Sequence, residues 1–380
     1  MRNVLIAQTA VATSLGADPQ TVFQSLLNNE SGIRKIDRFT TKNYKSEYAA
    51  LIKDIETPEG KSLFLNLADL ILNQLTDIPE DCAVLTATTK ACIDLLGENN
   101  PECKNGANAE LFAYDYLILS NISKYIARKL NLKNTGINIS SACASSTIAI
   151  IKGAQMIINK RADSVLIFCA DIISEFVFSG FSSLNALSVN PAQPFDITRK
   201  GLSLGDGGAA ILLMGDDIAK KNHITCNTSV KGFGIASDAS HITAPDGRGL
   251  IIAINNALKK ADLSCDQIGA INTHGTGTIY NDLMEIKALK HVFNSLQIPG
   301  NSIKGSIGHT LGGAGGIEAV MGSLMLREHI LPGTHGFSVP EKGAENLISS
   351  ENVSFSKDYL LSINSGFAGV NAALILKREK

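Results

Sequence analysis

Tryptophan is absent from this chain and aromatic residues make up only 6% of it, so its core must be aliphatic and rich in alanine and glycine. An excess of either charge is lacking too. Thirty-four Lys and Arg stand against 36 Asp and Glu, a formal net charge of −2. That balance gives no global attraction to nucleic acid, so a charged partner must meet a local patch. Proline is scarce, 10 residues against 33 glycines, which suggests close backbone approaches and few rigid loops. Cysteines stand at 82, 92, 103, 143, 169, 226 and 265, an odd count with no C-x-x-C pair. A disulfide framework and a zinc site are therefore disfavoured, and a reducing compartment, the cytoplasm, is expected. No apolar run is long enough to span a bilayer. The opening Met1–Thr13 mimics a short signal peptide, but Gln8 and Thr9 break its apolar stretch, so a first buried strand is expected instead.

What is present is an ordinary globular mixture: 380 residues, 44% hydrophobic and 18% charged, enough for one large domain or two to three smaller ones. Short apolar runs at Val4–Ala7, Ala83–Ala87, Ile137–Ser140, Ser164–Ala170, Ala209–Met214, Ile268–Thr273 and Ala372–Leu376 read as buried strands. Between them, Pro19–Asn28, Leu63–Leu75, Ala109–Leu130, Ser145–Asn159, Gly249–Lys260, Asp282–Phe293 and Gly315–Leu326 read as helices. The alternation predicts an α/β architecture with both sheet faces covered. One internal repeat stands out: Gly207–Met214 resembles Val370–Lys377, each after a glycine-rich turn. The offset that carries 207 to 370 carries 143 to 306, three residues before His309. Two copies of one α/β unit are expected, 1–220 and 221–380.

Four segments carry chemistry-bearing residues. In Asn138–Thr147 a strand ends, small residues turn and a helix begins, with Cys143 at the turn. A helix N-terminus stabilises a thiolate, so Cys143 reads as a nucleophile with a lowered pKa, or else as an inert buried thiol. In Ile271–Thr278 a buried strand delivers His274 into a loop of Gly and Thr, with Asp282 and Glu285 opening the next helix. Such a His suits acid, base or donor work, or caps backbone. In Lys304–Glu318 a glycine-rich run holds His309 between a Lys and a carboxylate that can fix its tautomer and field. Asn364–Asn371 places the lone aromatic Phe367 in a glycine-rich turn, as a pocket gate or a packed hairpin residue.

Taken together, Ser140–Ser146, His274–Thr278, Lys304–Glu318 and Gly366–Asn371 resemble the signature segments of the β-ketoacyl synthases of the Cys-His-His type. Val4–Gly16 resembles the family's first strand, and Pro194–Ala209 its mid-chain signature. The resemblance implies the thiolase-like fold: two duplicated α/β halves in a five-layered αβαβα arrangement. It implies an elongating acyltransferase of fatty acid or polyketide assembly. Cys143 would take an acyl chain from an acyl carrier protein, a malonyl-carrier would lose carbon dioxide, and the carbanion would attack the Cys143 thioester. His274 and His309 would donate to the malonyl thioester oxygen, with backbone N–H groups of Cys143 and Phe367 as a second oxyanion hole. Lys304 and Glu318 would support His309. Thr276 and Thr278 would bind the phosphopantetheine arm that the carrier brings, Phe367 would gate the acyl pocket, and Arg199 would face the acidic carrier from the surface. No metal or resident cofactor is required, and no nucleic acid or membrane partner is expected. A homodimer across about Val165–Ala170, or a heterodimer with a related chain, is expected.

The sequence also departs from the family. The stretch before Cys143 is short, Ala368 stands for a Gly and Val370 for a Thr. These changes lean towards a specialised synthase, for a polyene or other secondary metabolite. A degradative thiolase needs a second catalytic Cys near the C-terminus, yet the last is Cys265; initiating synthases have Asn where His309 stands. A non-catalytic chain-length partner is the competing reading, and such partners usually lack the nucleophile. Cys143 is expected to react first with a thiol reagent.

Overall fold

A computed structural model of the chain describes residues 2–53, 55, 62–96, 115–238, 246–294 and 296–379. The expected helix over Ala109–Leu130 falls partly, and Cys103 wholly, outside them.

The apolar runs assemble into one large mixed sheet. Its strands are β1 (Val4–Thr13), β2 (Ala83–Ala87), β3 (Ile137–Asn138), β4 (Ser164–Asp171), β5 (Gly207–Gly215), β6 (Thr228–Ser237), β7 (Ala270–Asn272), β8 (Gly300–Asn301), β9 (Tyr359–Gly366) and β10 (Val370–Arg378). Their spatial order is β8-β7-β9-β10-β6-β1-β5-β4-β2-β3. Outward from the middle, each half uses its own strands in the same order: first, fifth, fourth, second, third. β1/β5 and β5/β4 are antiparallel, β4/β2 and β2/β3 parallel. The second half repeats this with β6/β10 and β10/β9 antiparallel, β9/β7 and β7/β8 parallel. The halves meet where Val4–Ile6 pairs antiparallel with Thr228–Val230.

The layers follow from the pleat, which sends successive side chains to opposite faces. Along β4, Val165, Ile167 and Cys169 point into one core while Leu166, Phe168 and Ala170 point into another. In the second half Ala372, Leu374 and Leu376 of β10 share the first core, whereas Ala373 and Ile375 enter a third. Helices α1 (Pro19–Leu27), α2 (Leu63–Leu72), α3 (Leu119–Lys129), α4 (Ser145–Ile158), α5 (Glu175–Ser183), α6 (Arg248–Ala261), α7 (Ile279–Phe293) and α8 (Ala314–Glu328) supply the remaining layers. The central core holds α4 and α8, which pack on each other between the two halves of the sheet. One outer core holds Phe64, Leu67 and Ile71 of α2 with Ile122 and Ile126 of α3. The other holds Leu250 and Ile254 of α6 with Met284 and Leu289 of α7. The order is αβαβα, the thiolase-like arrangement.

Three strands and one helix escape the sequence pattern; the shortest, β8, is only the pair Gly300–Asn301. β6 is polar and carries Gly232 and Gly234, where a Cβ would lie 2.3 Å from the Ala257 carbonyl and 2.1 Å from the Ala253 carbonyl. Close approach of α6 thus dictates glycine there, at the expense of a strand-like signature. β9 mixes apolar residues with Ser362, Asn364 and Ser365, and α5 has a weak apolar stripe. The expected dimer strand needs correction. β4, including Val165–Ala170, is buried and paired on both sides, so it offers no edge to a second chain. The edges are β3, where Ile137 is 60% exposed, and β8. Among the described residues no helix is long and apolar enough to cross a membrane.

Candidate active site

The Cys143 loop is a sharp turn locked by a side chain. Ala142 adopts φ +48°, a left-handed conformation that costs every residue with a Cβ about 1–2 kcal/mol. Ser145 at the start of α4 donates its hydroxyl to the Ala142 carbonyl (2.6 Å) and accepts the Ser141 N–H (2.8 Å). Cys143 is left at the head of α4 and 6% exposed, and the Phe367 N–H donates to its thiol. The same helix is tied to the other half, because Ser146 accepts the Gly316 N–H of α8 (3.0 Å).

His274 leaves the end of β7 in a loop held by acids of α7. Glu285 accepts the N–H groups of His274 (2.6 Å) and Gly275 (2.7 Å); Asp282 accepts those of Thr276 (3.1 Å) and Phe195 (2.8 Å). Both acids are buried, and Glu285 is pushed up to about 8 by burial and by Asp282 beside it. The helix start that attracts acids thus also positions the His loop. His309 follows the short helix Lys304–Ile307 and Gly308, whose φ of +68° turns the chain back. The His309 N–H donates to Ser203 (2.7 Å) and its carbonyl accepts from Gly205 (3.0 Å), so a first-half segment fixes a second-half histidine.

These loops converge. His309 Nε2 lies 2.9 Å from Cys143 Sγ, and the two imidazoles meet edge to face at 5.2 Å and 86°. One ligating atom from each of Cys143, His274 and His309 lies within 4.8 Å of the others. Such a set could touch one ion, but among the described residues no fourth His, Cys, Asp or Glu joins it to complete a tetrahedral site. A buried relay runs behind His274. Lys304 Nζ pairs with Glu318; Glu318 Oε2 accepts the Asn364 amide (2.7 Å); and that amide also donates to His274 Nδ1 (3.3 Å). Thr147 of α4 holds the amide oxygen of Asn364. With Nδ1 accepting, the His274 proton sits on Nε2, the nitrogen free to donate. Burial and the Lys304 charge hold both imidazoles well below the usual histidine pKa, so they are neutral donors at pH 7.

Two cavities open on either side of Phe367 and share Cys143. One, of about 40 Å³, is lined by His274, His309, Thr276, Thr278 and Asn281. The other, of about 320 Å³, is lined mainly by Phe176, Val177, Phe181, Leu184 and Leu311. The Phe367 ring lies 5.9 Å from that of Phe181.

Three sequence expectations are corrected. Arg199 does not face a partner from the surface: its side chain is 1% exposed, bound to Glu341 (2.8 Å) and the Ile279 carbonyl (3.2 Å) beside Asp282. It is an internal tie of the His274 loop. The Lys304–Glu318 pair does not hydrogen-bond toward His309; its bonded route runs through Asn364 to His274, and only the Lys304 charge reaches both rings. The Cys143 thiol is not lowered. Burial pushes it up to about 11, against the opposing pull of Lys304 and the Phe367 N–H. Sequence reasoning missed Asn364 and Asp171, a buried carboxylate that accepts the N–H groups of Thr89 (3.0 Å), Lys90 (3.1 Å) and Gly312 (2.7 Å). Their signal was weak: Asn364 stands before a glycine-rich turn, and Asp171 closes an otherwise apolar strand.

Residues 82–219 match the family model for the beta-ketoacyl synthase N-terminal domain, and 228–338 that for the C-terminal domain. The chain is 30% identical to the chloroplastic 3-oxoacyl-[acyl-carrier-protein] synthase II of Arabidopsis thaliana, over 100% of this chain and 76% of that one. It is 27% identical to 3-oxoacyl-[acyl-carrier-protein] synthase 2 of Coxiella burnetii, over 99% of both. A solved structure described as the ishigamide ketosynthase/chain length factor superposes with a TM-score of 0.92 at 25% identity, covering both chains fully. Duplicated halves, a thiol facing two imidazoles across their seam, and matches in both halves lead to one assignment: the chain belongs to the β-ketoacyl synthase family.

Proposed function

We propose that the protein catalyses the decarboxylating condensation of an acyl thioester with malonyl-acyl carrier protein, giving a 3-oxoacyl-carrier two carbons longer, in fatty acid or polyketide biosynthesis. The observation that carries this reading is the 2.9 Å contact of Cys143 Sγ with His309 Nε2, with His274 completing the group. The Cys143 sulfur attacks the acyl thioester and its proton leaves with the departing carrier thiol. Because burial opposes the free thiolate, donation from His309 and the Phe367 N–H matters most as that charge develops. The malonyl group then loses carbon dioxide, and charge builds on its thioester oxygen. Neutral His274 and His309 are suited to donate to it without a change of protonation state. The new carbanion attacks the acyl carbon, the C–S bond to Cys143 breaks, and the released thiolate regains a proton.

In this reading Thr276 and Thr278, whose hydroxyls lie 2.9 Å apart in the smaller cavity, hold the carrier's phosphopantetheine arm. The larger apolar cavity takes the acyl chain, and Phe367 separates the two. Lys304 and Glu318 position His274 through Asn364. The division into 1–220 and 221–380 is supported by the repeated strand order. The protein works in the cytoplasm and dimerises, with itself or a related chain, along the exposed β3 edge.

The chain-length partner remains the second reading, favoured by the similarity to a ketosynthase/chain length factor structure. Cys143→Ala separates the two. Loss of 3-oxoacyl product and of any acyl adduct on the protein is expected; condensation that survives in the complete assembly would make the chain a partner subunit.

A further inference from the structure

The larger cavity beside Cys143 is apolar but for one feature. Among its lining side chains Lys90 alone carries a charge. Its position is not loose: the Lys90 N–H donates to buried Asp171 (3.1 Å), which also accepts both N–H and hydroxyl of Thr89. Asp171 is fully engaged by these groups and by the Gly312 N–H, and forms no ion pair with Lys90. Among the described residues the Lys90 ammonium has neither a salt-bridge partner nor a hydrogen-bond acceptor. Lys90 is half-buried beside an aliphatic and aromatic wall, and a cation there with no partner among the described residues is an unfilled donor site. A methyl-terminated chain would desolvate it with no return.

We infer that Lys90 selects acyl chains whose remote part carries an acceptor oxygen, a carboxylate or a phenol, over plain saturated chains. This rests on the condensing reading above and names the substrate class of the same site. Phe176, Phe181 and Phe367 on the wall offer ring surface to a flat, conjugated or aryl chain. Lys90 is a specificity-determining residue here; its charge also favours the Cys143 thiolate, an effect common to every acyl arm.

The test is acyl loading of the purified full chain, read as the intact mass and rate of the Cys143 adduct. Carrier thioesters of octanoate, the ω-carboxylate suberate and 4-hydroxycinnamate are compared. One charge-assisted hydrogen bond predicts roughly ten- to hundredfold faster loading of an oxygen-bearing chain than of octanoate. The suberyl and hydroxycinnamoyl arms tell a carboxylate from a phenol. In Lys90→Met, which keeps length and apolar stem, that advantage should vanish, so that the ratio of oxygen-bearing to octanoyl loading falls to about one, whatever the common rate. Equal or faster octanoate loading by the wild-type chain overturns the inference while leaving the condensing reading intact, and so does an unchanged ratio in folded Lys90→Met. Failure of every thioester to load on Cys143 overturns both.

Discussion

Asn364 offers the sharpest test of how the site is wired. Its amide donates to Glu318 (2.7 Å) and to His274 Nδ1 (3.3 Å), and so fixes which imidazole nitrogen carries the proton. Asn364→Asp keeps the shape and reverses the polarity. A carboxyl group beside Glu318 forces the two acids to share a proton and to accept from His274 Nδ1. The His274 proton then leaves Nε2, and one donor to the malonyl oxygen is lost. Removing one oxyanion donor typically costs about 10²- to 10³-fold, or about 2.7–4 kcal/mol of transition-state stabilisation. Acyl transfer to Cys143 uses His309 and the Phe367 N–H instead, and should be nearly spared. Carbon dioxide release from malonyl-carrier and the rate of acyl-adduct formation, measured separately on the folded variant, decide the matter. Decarboxylation within about fivefold of wild type, or an equal fall in both rates, would refute the assignment of His274 as a donor poised by Asn364.

Other outcomes follow from the same geometry. Ala368 sits exposed at φ +67°, so Ala368→Gly should stabilise the chain by about 1 kcal/mol, read as a raised urea midpoint. Arg199→Ala strips the partner from buried Asp282 and should cost about 3–5 kcal/mol of stability; a raised KM for the carrier with an unshifted melt would instead restore a surface role. Glu285, whose folded pKa of about 8 exceeds its unfolded value of 4.5, lends stability that is full below pH 4.5 and fades as pH rises through about 8. Glu285→Gln should therefore flatten the decline of urea midpoint from pH 5 to 8, by at most about 1.4 kcal/mol per pH unit. The depressed pKa values of His274 and His309 predict decarboxylation that stays level from pH 8 down to 6.5 and falls only in more acid solution.

Much of the site was legible because its chemistry is local in the chain. Cys143, His274, His309 and Phe367 each sit in a turn rich in glycine, alanine or other small residues, and His274 follows an apolar strand, a pattern that needs no tertiary knowledge. The repeat between Gly207–Met214 and Val370–Lys377 anticipated β5 and β10 and the mirrored strand order around them. What stayed hidden depends on packing. β6 reads as a loop because α6 demands glycine at 232 and 234. Arg199 looks like a surface cation until Glu341, distant in sequence, folds onto it. The pKa of Cys143 was misjudged because its helix position is visible in sequence, whereas its loss of contact with water is not.

Ser146 of one copy holding Gly316 of the other gives the junction a role that neither copy has alone. Sulfur and imidazoles sit on separate bodies, so their spacing is inherited from how those bodies press together. Replacements along the buried faces of α4 and α8 can then silence turnover while every reactive group stays chemically unaltered. A deep-lying aliphatic substitution would masquerade as an enzymological lesion, and a second one across the joint could cure it.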